Sequence, residues 1–429
     1  MRVDAPLRSS LASRSFRRKL TTLSAVLFAV AGLGPAAAAA GGSGAPAGGP
    51  VAQRWVAGWA ASPVVGTPIP FESCPADVGL TDSTVRNVVF VSVGGSAVRV
   101  RLTNAFGTRS MLVGHASVAV QAANAEPVAG TLRGLTFGGS AQVRIAAGGE
   151  VFSDPVALRV SALSTLLVSV YVAGPTGPVT NHPFTAQGNF LGAGDQTLAA
   201  TGAGFSDTPC WMLVDGVDVH ASGRVVGSVV ALGDSITDTA NTTGNANRRW
   251  PDDLARRLAA RRGDTLSVVN AGLGGNRLLE PRDGELFYGI PALARLDRDV
   301  FAQTGVRTVI LLEGVNDIGF NASADDIIAG YQQVIASTHA RGLRVLGGTI
   351  TPFGGSFLGD PARIATRNAV NAWIRGSHAF DGVIDFARAA ANPADPEALD
   401  PRFDSGDHLH PNDAGCLAMA NAINLPALF

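Results

Sequence analysis

The sequence predicts two parts: an all-β sandwich or jelly roll, followed by an α/β part built on a doubly wound parallel sheet. Three observations predict this arrangement. Short apolar strands and glycine-rich turns fill residues 51–224, whereas strands and helices alternate over residues 225–429. A chain of 429 residues is also longer than one hydrophobic core usually serves. We therefore predict a domain boundary between residues 224 and 225.

The first 40 residues predict a secretory signal peptide. Arg14, Arg17, Arg18 and Lys19 precede an apolar stretch over residues 20–33, and alanines at 36–40 offer small-residue cleavage sites. The alternative, a membrane anchor, is disfavoured because the stretch is short for a membrane span. Residues 41–50 are Gly-, Ala-, Pro- and Ser-rich and predict a disordered leader. We expect a secreted protein, extracellular or periplasmic, without a stable membrane anchor.

The charge of the chain bears on its binding partners, and its cysteines bear on disulfide formation. The formal net charge is −1 and charged residues make up 16%, which gives no case for a nucleic-acid partner. Export permits disulfides. Of the three cysteines, Cys74 and Cys210 both lie in loop-like, proline-containing sequence and are the expected pair, whereas Cys416 lies in an apolar helix and is expected to be buried.

Apolar alternation predicts the strands of the first half. They are expected over residues 84–93, 97–104, 115–120, 141–145, 156–161 and 165–172. Glycine pairs such as Gly94-Gly95 separate them as turns. Trp55, Trp59 and Trp211 could stack against sugars, but packing in the core or between the two parts is the favoured interpretation.

The second half alternates between apolar β-branched runs and helical patterns. Strands are expected over residues 225–232, 266–270, 306–312, 343–350 and 382–386, and helices near 250–262, 290–303, 324–340, 361–376 and 411–422. Ser323 and Asp326 resemble a capping box, and Pro411 is expected to begin the last helix. Such alternation predicts a parallel sheet with helices on both faces.

Four polar blocks follow these strands or precede the last helix. They are Gly233-Asp234-Ser235, then residues 270–276, then Gly314-Val315-Asn316-Asp317, then Asp407-His408-Leu409-His410-Pro411. Open α/β sheets bind ligands beyond the carboxyl ends of their strands. These blocks are therefore expected to meet at one edge of the sheet.

The blocks contain the groups that acyl transfer needs. Asp407 and His410 are three residues apart, so one turn can bring the carboxylate to one imidazole nitrogen and leave the other for the Ser235 proton. Gly275 lacks a side chain, so its N–H can approach a substrate oxygen, and Asn316 can offer its amide to the same oxygen. With the Ser235 N–H, these would be three oxyanion donors.

In this order, the four blocks resemble the SGNH (GDSL) hydrolase superfamily. The conserved Ser, Gly, Asn and His of that superfamily match Ser235, Gly275, Asn316 and His410, and its acid matches Asp407. The resemblance implies a flavodoxin-like sheet, an ester hydrolase activity with Ser235, Asp407 and His410 as catalytic residues, and no cofactor. The β part before this domain, with its sequence at residues 98–107, resembles the subgroup related to acetylxylan esterases, which implies removal of acyl groups from polysaccharide.

Three competing interpretations concern the histidines and glycines. His408 is an alternative base, but it is the direct neighbour of Asp407 and cannot easily form the same pair. A His-x-His metal site lacks a third ligand nearby in the sequence, so no metal is predicted. Arg277 stands where a dinucleotide-binding fingerprint needs its third glycine.

We therefore predict a secreted serine esterase that removes short acyl groups, acetyl above all, from carbohydrate. Lipase or arylesterase activity and acyl transfer to an alcohol are alternatives that use the same triad. A second alternative is a glycan-binding protein with a vestigial hydrolase domain. The expected partner is an ester substrate, with acylated polysaccharides among the candidates.

Overall fold

Antiparallel strands form most of the first half. The computed structural model describes residues 54–238 and 241–429, and the predicted signal peptide and leader lie outside them. The strands of the first half are β1 Arg54–Ala60, β2 Ser83–Val91, β3 Gly95–Thr103, β4 Met111–Val113, β5 His115–Ala123, β6 Glu126–Pro127, β7 Arg133–Gly134, β8 Val143–Ile145, β9 Glu150–Phe152, β10 Ser164–Val172, β11 Asn181–His182, β12 Asn189–Ala193, β13 Phe205–Thr208, β14 Trp211–Met212 and β15 Val214–Ala221.

Two sheets enclose the core of this half. One has the order β1-β15-β3-β9, and the other contains the path β13-β12-β2-β10-β5-β6 with β7 beside β5. Buried valines from both sheets belong to one hydrophobic cluster, as expected for strands that each turn one face inward. The prediction of a β-rich first half is confirmed, and the jelly-roll topology remains a prediction.

Strands and helices alternate in the second half. The elements are β16 Val225–Gly233, α1 Ser235–Asp238, α2 Trp250–Ala259, β17 Thr265–Gly272, α3 Ala292–Arg295, β18 Val306–Leu312, α4 Val315–Gly319, α5 Ala324–His339, β19 Arg344–Gly348, α6 Pro361–Gly376, β20 Gly382–Ile384, α7 Phe386–Ala390, β21 Ala391–Asn392, β22 Asp395–Leu399 and α8 Asp413–Ala422. A π-helix over Leu296–Phe301 continues α3.

Five of these strands form a parallel sheet with the order β17-β16-β18-β19-β20. The chain moves one way from β16 to β17 and the other way from β18 to β20. Right-handed crossovers in opposite directions place helices on opposite faces of a sheet. The strand order reverses between β16 and β18, and this switch point is where such sheets bind ligands. The predicted parallel sheet is confirmed, and its strand order is the flavodoxin-like one.

The N-termini of α5 and α8 test the predicted helix starts. Ser323 caps α5, and the Ser323 and Asp326 side chains bond reciprocally to the backbone, as the capping-box prediction requires. The predicted start of the last helix at Pro411 is wrong. Asn412 is its N-cap and accepts hydrogen bonds from the N–H groups of Ala414 and Gly415, so α8 begins at Asp413.

One predicted strand does not form. Residues 156–161 pair with β3 only through isolated bridges at Val156 and Val160, so no continuous ladder develops between them. Sequence patterning also missed several strands of the first half, among them β1, β12 and β15.

The two halves are joined by direct contacts. The Val268 N–H donates to Ser92 Oγ at 3.0 Å, and the Ala57 N–H donates to the Thr304 carbonyl at 2.9 Å. Trp59 and Trp211 are 5% and 2% exposed and pack edge to face, which confirms core packing for these two rings. Among the described residues, no helix is both long and apolar enough to cross a membrane.

The cysteines lie as the sequence predicted. Cys74 and Cys210 form a disulfide that closes a separation of 136 residues, and Cys416 is free and buried. The disulfide fastens the loop between β1 and β2 to the strand pair that carries Trp211.

Candidate active site

Ser235 lies at the sharp turn from β16 into the short helix α1, and it is half-buried. The turn depends on Gly233, where a Cβ atom would lie 2.1 Å from Thr237 Oγ1 and 2.6 Å from the Leu312 carbonyl oxygen. The Asp234 carboxylate accepts the Ile236 N–H at 2.9 Å and stabilises the start of the helix. The Ser235 hydroxyl is thereby presented at the carboxyl edge of the sheet.

The structure brings Ser235 and His410 together from positions 175 residues apart. The Ser235 Oγ and His410 Nε2 atoms are 2.9 Å apart, and His410 Nδ1 is 2.6 Å from Asp407 Oδ2. A carboxylate oxygen only accepts, so Nδ1 carries the proton in this pair and Nε2 is left to accept from the serine hydroxyl. This tautomer is the one that a general base for Ser235 needs.

Asp407 is held by several donors besides the imidazole. Its Oδ1 accepts the N–H groups of Leu409 and His410 at 3.0 and 2.8 Å, and Asn241 Nδ2 donates to Oδ2 at 3.0 Å. Burial alone would raise the pKa of Asp407, but the hydrogen bonds from His410 and the backbone hold it well below its usual range. The group therefore stays a carboxylate.

His408, the alternative base, points elsewhere. Its side chain is exposed and its Nδ1 atom pairs with Asp404 Oδ2, whereas the imidazole bonded to Ser235 is that of His410. Its backbone has a φ of 62°, within the left-handed region. The tight turn around His408 directs the two histidines to different carboxylates.

Gly275 and Asn316 follow β17 and β18, the strands on either side of β16. Gly275 has a φ of 69°, and a Cβ atom there would lie 2.3 Å from the Tyr288 ring, so only glycine fits. Asn316 Nδ2 donates to the Asn276 carbonyl at 2.8 Å, and its Oδ1 accepts from Arg282 Nη2 at 2.8 Å. These bonds fix the amide orientation and leave the second Nδ2 hydrogen for a substrate oxygen.

Arg282 was not anticipated from the sequence. Besides its bond to Asn316, its guanidinium lies over the rings of Tyr288 and Phe320, 4.0 and 5.1 Å from their centroids. Burial lowers the pKa of Arg282 from its usual value. Its sequence context, a polar loop between two elements, contains no pattern that distinguishes it from a surface arginine.

Arg295 is a second unanticipated residue, and it ties the strand ends together. Its side chain is fully buried, and it donates to the Gly233 and Ala271 carbonyls at 3.0 and 2.7 Å and to Asn276 Oδ1 at 2.9 Å. It also forms ion pairs with Asp299 and Glu313. One cation therefore fixes the ends of β16 and β17 and the loop that carries Gly275.

Two buried carboxyl groups, Asp234 and Glu313, lie at the carboxyl ends of β16 and β18. Each is 1% exposed, and the positive charge of Arg295 acts to lower the pKa of both. Burial is the largest cause that raises the pKa of both groups, and repulsion from Asp317 adds to it in each case, with Asp234 adding further at Glu313. Both groups therefore hold their protons more tightly than free carboxyl groups do.

The raised pKa values of several buried groups predict that the stability of the fold falls as pH rises from 5 to 8. The pKa of Glu72 is raised by burial to about 7, and the pKa values of Asp234, Glu313 and His182 are also raised. Each group binds its proton more tightly in the folded chain than in the unfolded chain, so its contribution is lost as pH rises through the folded pKa. We expect the free energy of unfolding to drop by at least about 2 kcal/mol, measured by urea denaturation at pH 5.5 and 8.

The variant Glu313→Gln, which removes one titrating group, should make the free energy of unfolding depend less steeply on pH. A flat or rising profile in the unaltered protein would contradict the prediction.

Comparison with known proteins identifies the domain that holds this site. Residues 231–417 match the model of the GDSL-like Lipase/Acylhydrolase family. This segment is a GDSL-like lipase/acylhydrolase domain. The match spans the turn with Ser235 and ends within α8, so it contains all four polar blocks. The chain is accordingly an ester hydrolase, as the sequence predicted.

Solved GDSL-like structures resemble the chain over a similar share of its length. A GDSL-like lipase from Bacteroides thetaiotaomicron is 19% identical, with 47% of this chain and 87% of that chain covered and a TM-score of 0.34. The Mycobacterium smegmatis aryl esterase is 14% identical, covering 46% and 95%, with a TM-score of 0.37. An acetyl xylan esterase is 22% identical, covering 46% and 96%, with a TM-score of 0.35. No curated protein matches the chain significantly. The family assignment therefore rests on the family model.

Proposed function

We propose that this GDSL-like protein is a secreted serine esterase that removes short acyl groups, acetyl above all, from carbohydrate. The observation that carries the proposal is the continuous chain of hydrogen bonds from Ser235 through His410 to Asp407. A hydroxyl, an imidazole and a carboxylate in this order are what nucleophilic acyl transfer at neutral pH needs.

In the proposed reaction, Ser235 Oγ attacks the ester carbonyl carbon while its proton passes to His410 Nε2. Asp407 stabilises the imidazolium that forms. The oxyanion of the tetrahedral intermediate accepts hydrogen bonds from the N–H groups of Ser235 and Gly275 and from Asn316 Nδ2. His410 then returns the proton to the leaving alcohol, and water repeats the sequence to release the acid. No step uses a cofactor.

Secretion is supported by two features. The basic and apolar segments of residues 1–40 have the pattern of a signal peptide. The Cys74–Cys210 disulfide is of a kind that persists in oxidising compartments.

A second substrate class, aryl or longer acyl esters, is favoured by one observation. Aromatic side chains surround the loops of Gly275 and Asn316, and two of them, Phe71 and Phe320, are 64% and 47% exposed. Phe71 stacks on Phe184, with 5.5 Å between centroids, and Phe184 packs against Gly274. Exposed rings beside a reactive centre offer an apolar surface to a planar or extended substrate group.

A series of model esters separates these proposals. The p-nitrophenyl esters of acetate, butyrate and octanoate are compared by kcat/KM, and acetic acid released from acetylated xylan is measured in parallel. The proposal expects acetate to exceed octanoate by about tenfold or more and xylan to release acetic acid. Faster octanoate hydrolysis with no release from xylan would favour the second class. A sugar acceptor added to the assay tests acyl transfer through its acylated product. Glycan retention without hydrolysis would favour the vestigial-domain alternative.

A further inference from the structure

We propose that the first half of the chain, residues 54–224 (the β half), contributes to the geometry of the active site. In this proposal His182 is a positioning residue that, through Asp238, holds residues 273–276 (the Gly275 loop). The inference rests on the proposed function, because it concerns the geometry of the proposed oxyanion donors. It assigns the first half a role in the chemistry rather than only in stability.

His182 on β11 lies at the junction of the two halves and is 2% exposed. Its Nδ1 atom is 2.7 Å from the Ser62 carbonyl oxygen, and its Nε2 atom is 3.0 Å from Asp238 Oδ1. A carbonyl and a carboxylate both only accept, so both ring nitrogens donate and the imidazole is a cation. Burial alone would lower the pKa of His182, and the adjacent Asp238 raises it above its usual value.

Asp238 connects His182 to the Gly275 loop. It is the last residue of α1, the helix that begins with Ser235, and it is 2% exposed. While Oδ1 faces His182, Oδ2 accepts the Gly274 N–H at 2.9 Å. One carboxylate therefore connects a histidine of the β half to the peptide unit directly before Gly275.

The same loop is confined sterically by both halves. A Cβ atom at Gly274 would lie 2.8 Å from the Phe184 ring, which follows His182 by two residues, and one at Gly275 would lie 2.3 Å from the Tyr288 ring. The Phe184 N–H donates to Glu72 Oε1 at 3.2 Å, so the segment carrying His182 and Phe184 is itself fixed. The contact between His182 and Asp238 therefore links the Gly274 N–H to the β half by hydrogen bonds, beside a second link in which Arg295 donates to both Asn276 Oδ1 and Ser62 Oγ.

Other charged groups near His182 do not replace Asp238. Arg249 opposes the imidazolium charge but is engaged with Asp252 at 2.8 Å. Glu72 attracts the imidazolium but bonds to the Phe184 backbone instead. Asp238 is therefore the acceptor that His182 fixes, and the Gly274 N–H is what Asp238 fixes in turn.

The test variant is His182→Gln, assayed for kcat and KM on p-nitrophenyl acetate and for binding of phenylboronic acid by calorimetry. Boronic acids add to the serine and place an oxygen where the oxyanion forms, so their affinity reports the donors directly. We expect kcat to fall about 10- to 100-fold with little change in KM, and the boronate Kd to rise by a similar factor. If this variant does not fold, Asp238→Asn is tested in its place and should show the same split.

Arg86→Lys is the matched control. Arg86 is 1% exposed in the β half, and it donates to Ser169 Oγ and to the Ala125, Gln196 and Ala199 carbonyls. This variant should lower Tm but leave kcat and the boronate Kd unchanged. A His182→Gln protein that resembles the control, with a lower Tm and unaltered kcat and Kd, would overturn the inference. Ser235→Ala run in parallel keeps the two proposals apart, since its retained activity would reject the proposed function itself.

Discussion

Replacement of Ser235 by alanine is expected to lower kcat for p-nitrophenyl acetate by at least about 10⁴-fold. The Ser235 hydroxyl is the one bonded to His410 Nε2, at 2.9 Å, and alanine leaves the imidazole without a nucleophile to activate. A fluorophosphonate probe should label the unaltered protein at Ser235 and fail to label the variant. Thermal unfolding of the variant should stay close to that of the unaltered protein, because a half-buried hydroxyl contributes little to packing.

His408→Ala is the control for this experiment. His408 is two residues from His410, but it is exposed and paired with Asp404. Its removal should leave kcat within about twofold, given that exposed pairs contribute little energy. Full activity in Ser235→Ala, or loss of activity in His408→Ala with Ser235 unlabelled, would contradict the assignment of nucleophile and base.

Arg295→Met is expected to produce the largest loss of stability, on the order of 3–5 kcal/mol. The variant removes the cation that pairs with Asp299 and Glu313, and it removes the guanidinium hydrogen bonds to the Gly233 and Ala271 carbonyls. Removing one partner of a buried ion pair is the costly case, and although Asp299 keeps Arg298 as a partner, the other buried acceptors lose the cation that they share. The midpoint of urea unfolding measures the effect.

Arg341→Met is the matched control for Arg295. Arg341 pairs with Asp297 at the surface, where the two side chains are 42% and 83% exposed, so the change should be close to neutral. If Arg295→Met yields no folded protein, the double variant Arg295→Met with Glu313→Gln should recover part of the loss. Equal midpoints for Arg295→Met and Arg341→Met would refute the role assigned to this cation.

Local signals explain what the sequence predicted well. The β-branched runs of β16 and β18 and the Ser323 cap are encoded by neighbouring residues, so patterning alone located them. The common position of the Ser235, Gly275 and Asn316 segments followed from a simple rule, because the ends of parallel strands share one edge of the sheet. The pairing of His410 with Ser235, which the structure shows, was instead expected from the resemblance and from the spacing of Asp407 and His410. The roles of Ser235, Asp407, His410, Gly275 and Asn316 remain predictions that the experiments above test.

Long-range polar contacts explain what the sequence could not predict. Arg295 lies among alanines and leucines in α3, and its partners come from three other segments of the chain. His182 has no motif around it, and its partner Asp238 is 56 residues away. Contacts of this kind depend on how distant segments pack together, and no local period encodes that packing. β1 is one of the strands that patterning missed, and two of its residues, Ala57 and Ala60, belong to the hydrophobic core of the second half.

The Cys74–Cys210 crosslink also has a practical meaning for producing the enzyme. It fastens the stretch that bears Phe71 and Glu72 to the neighbourhood of Trp211, so a thiol-reducing cytosol would yield chains in which that stretch is untethered. Recombinant expression directed to an oxidising compartment should give the homogeneous material that comparisons among variants require.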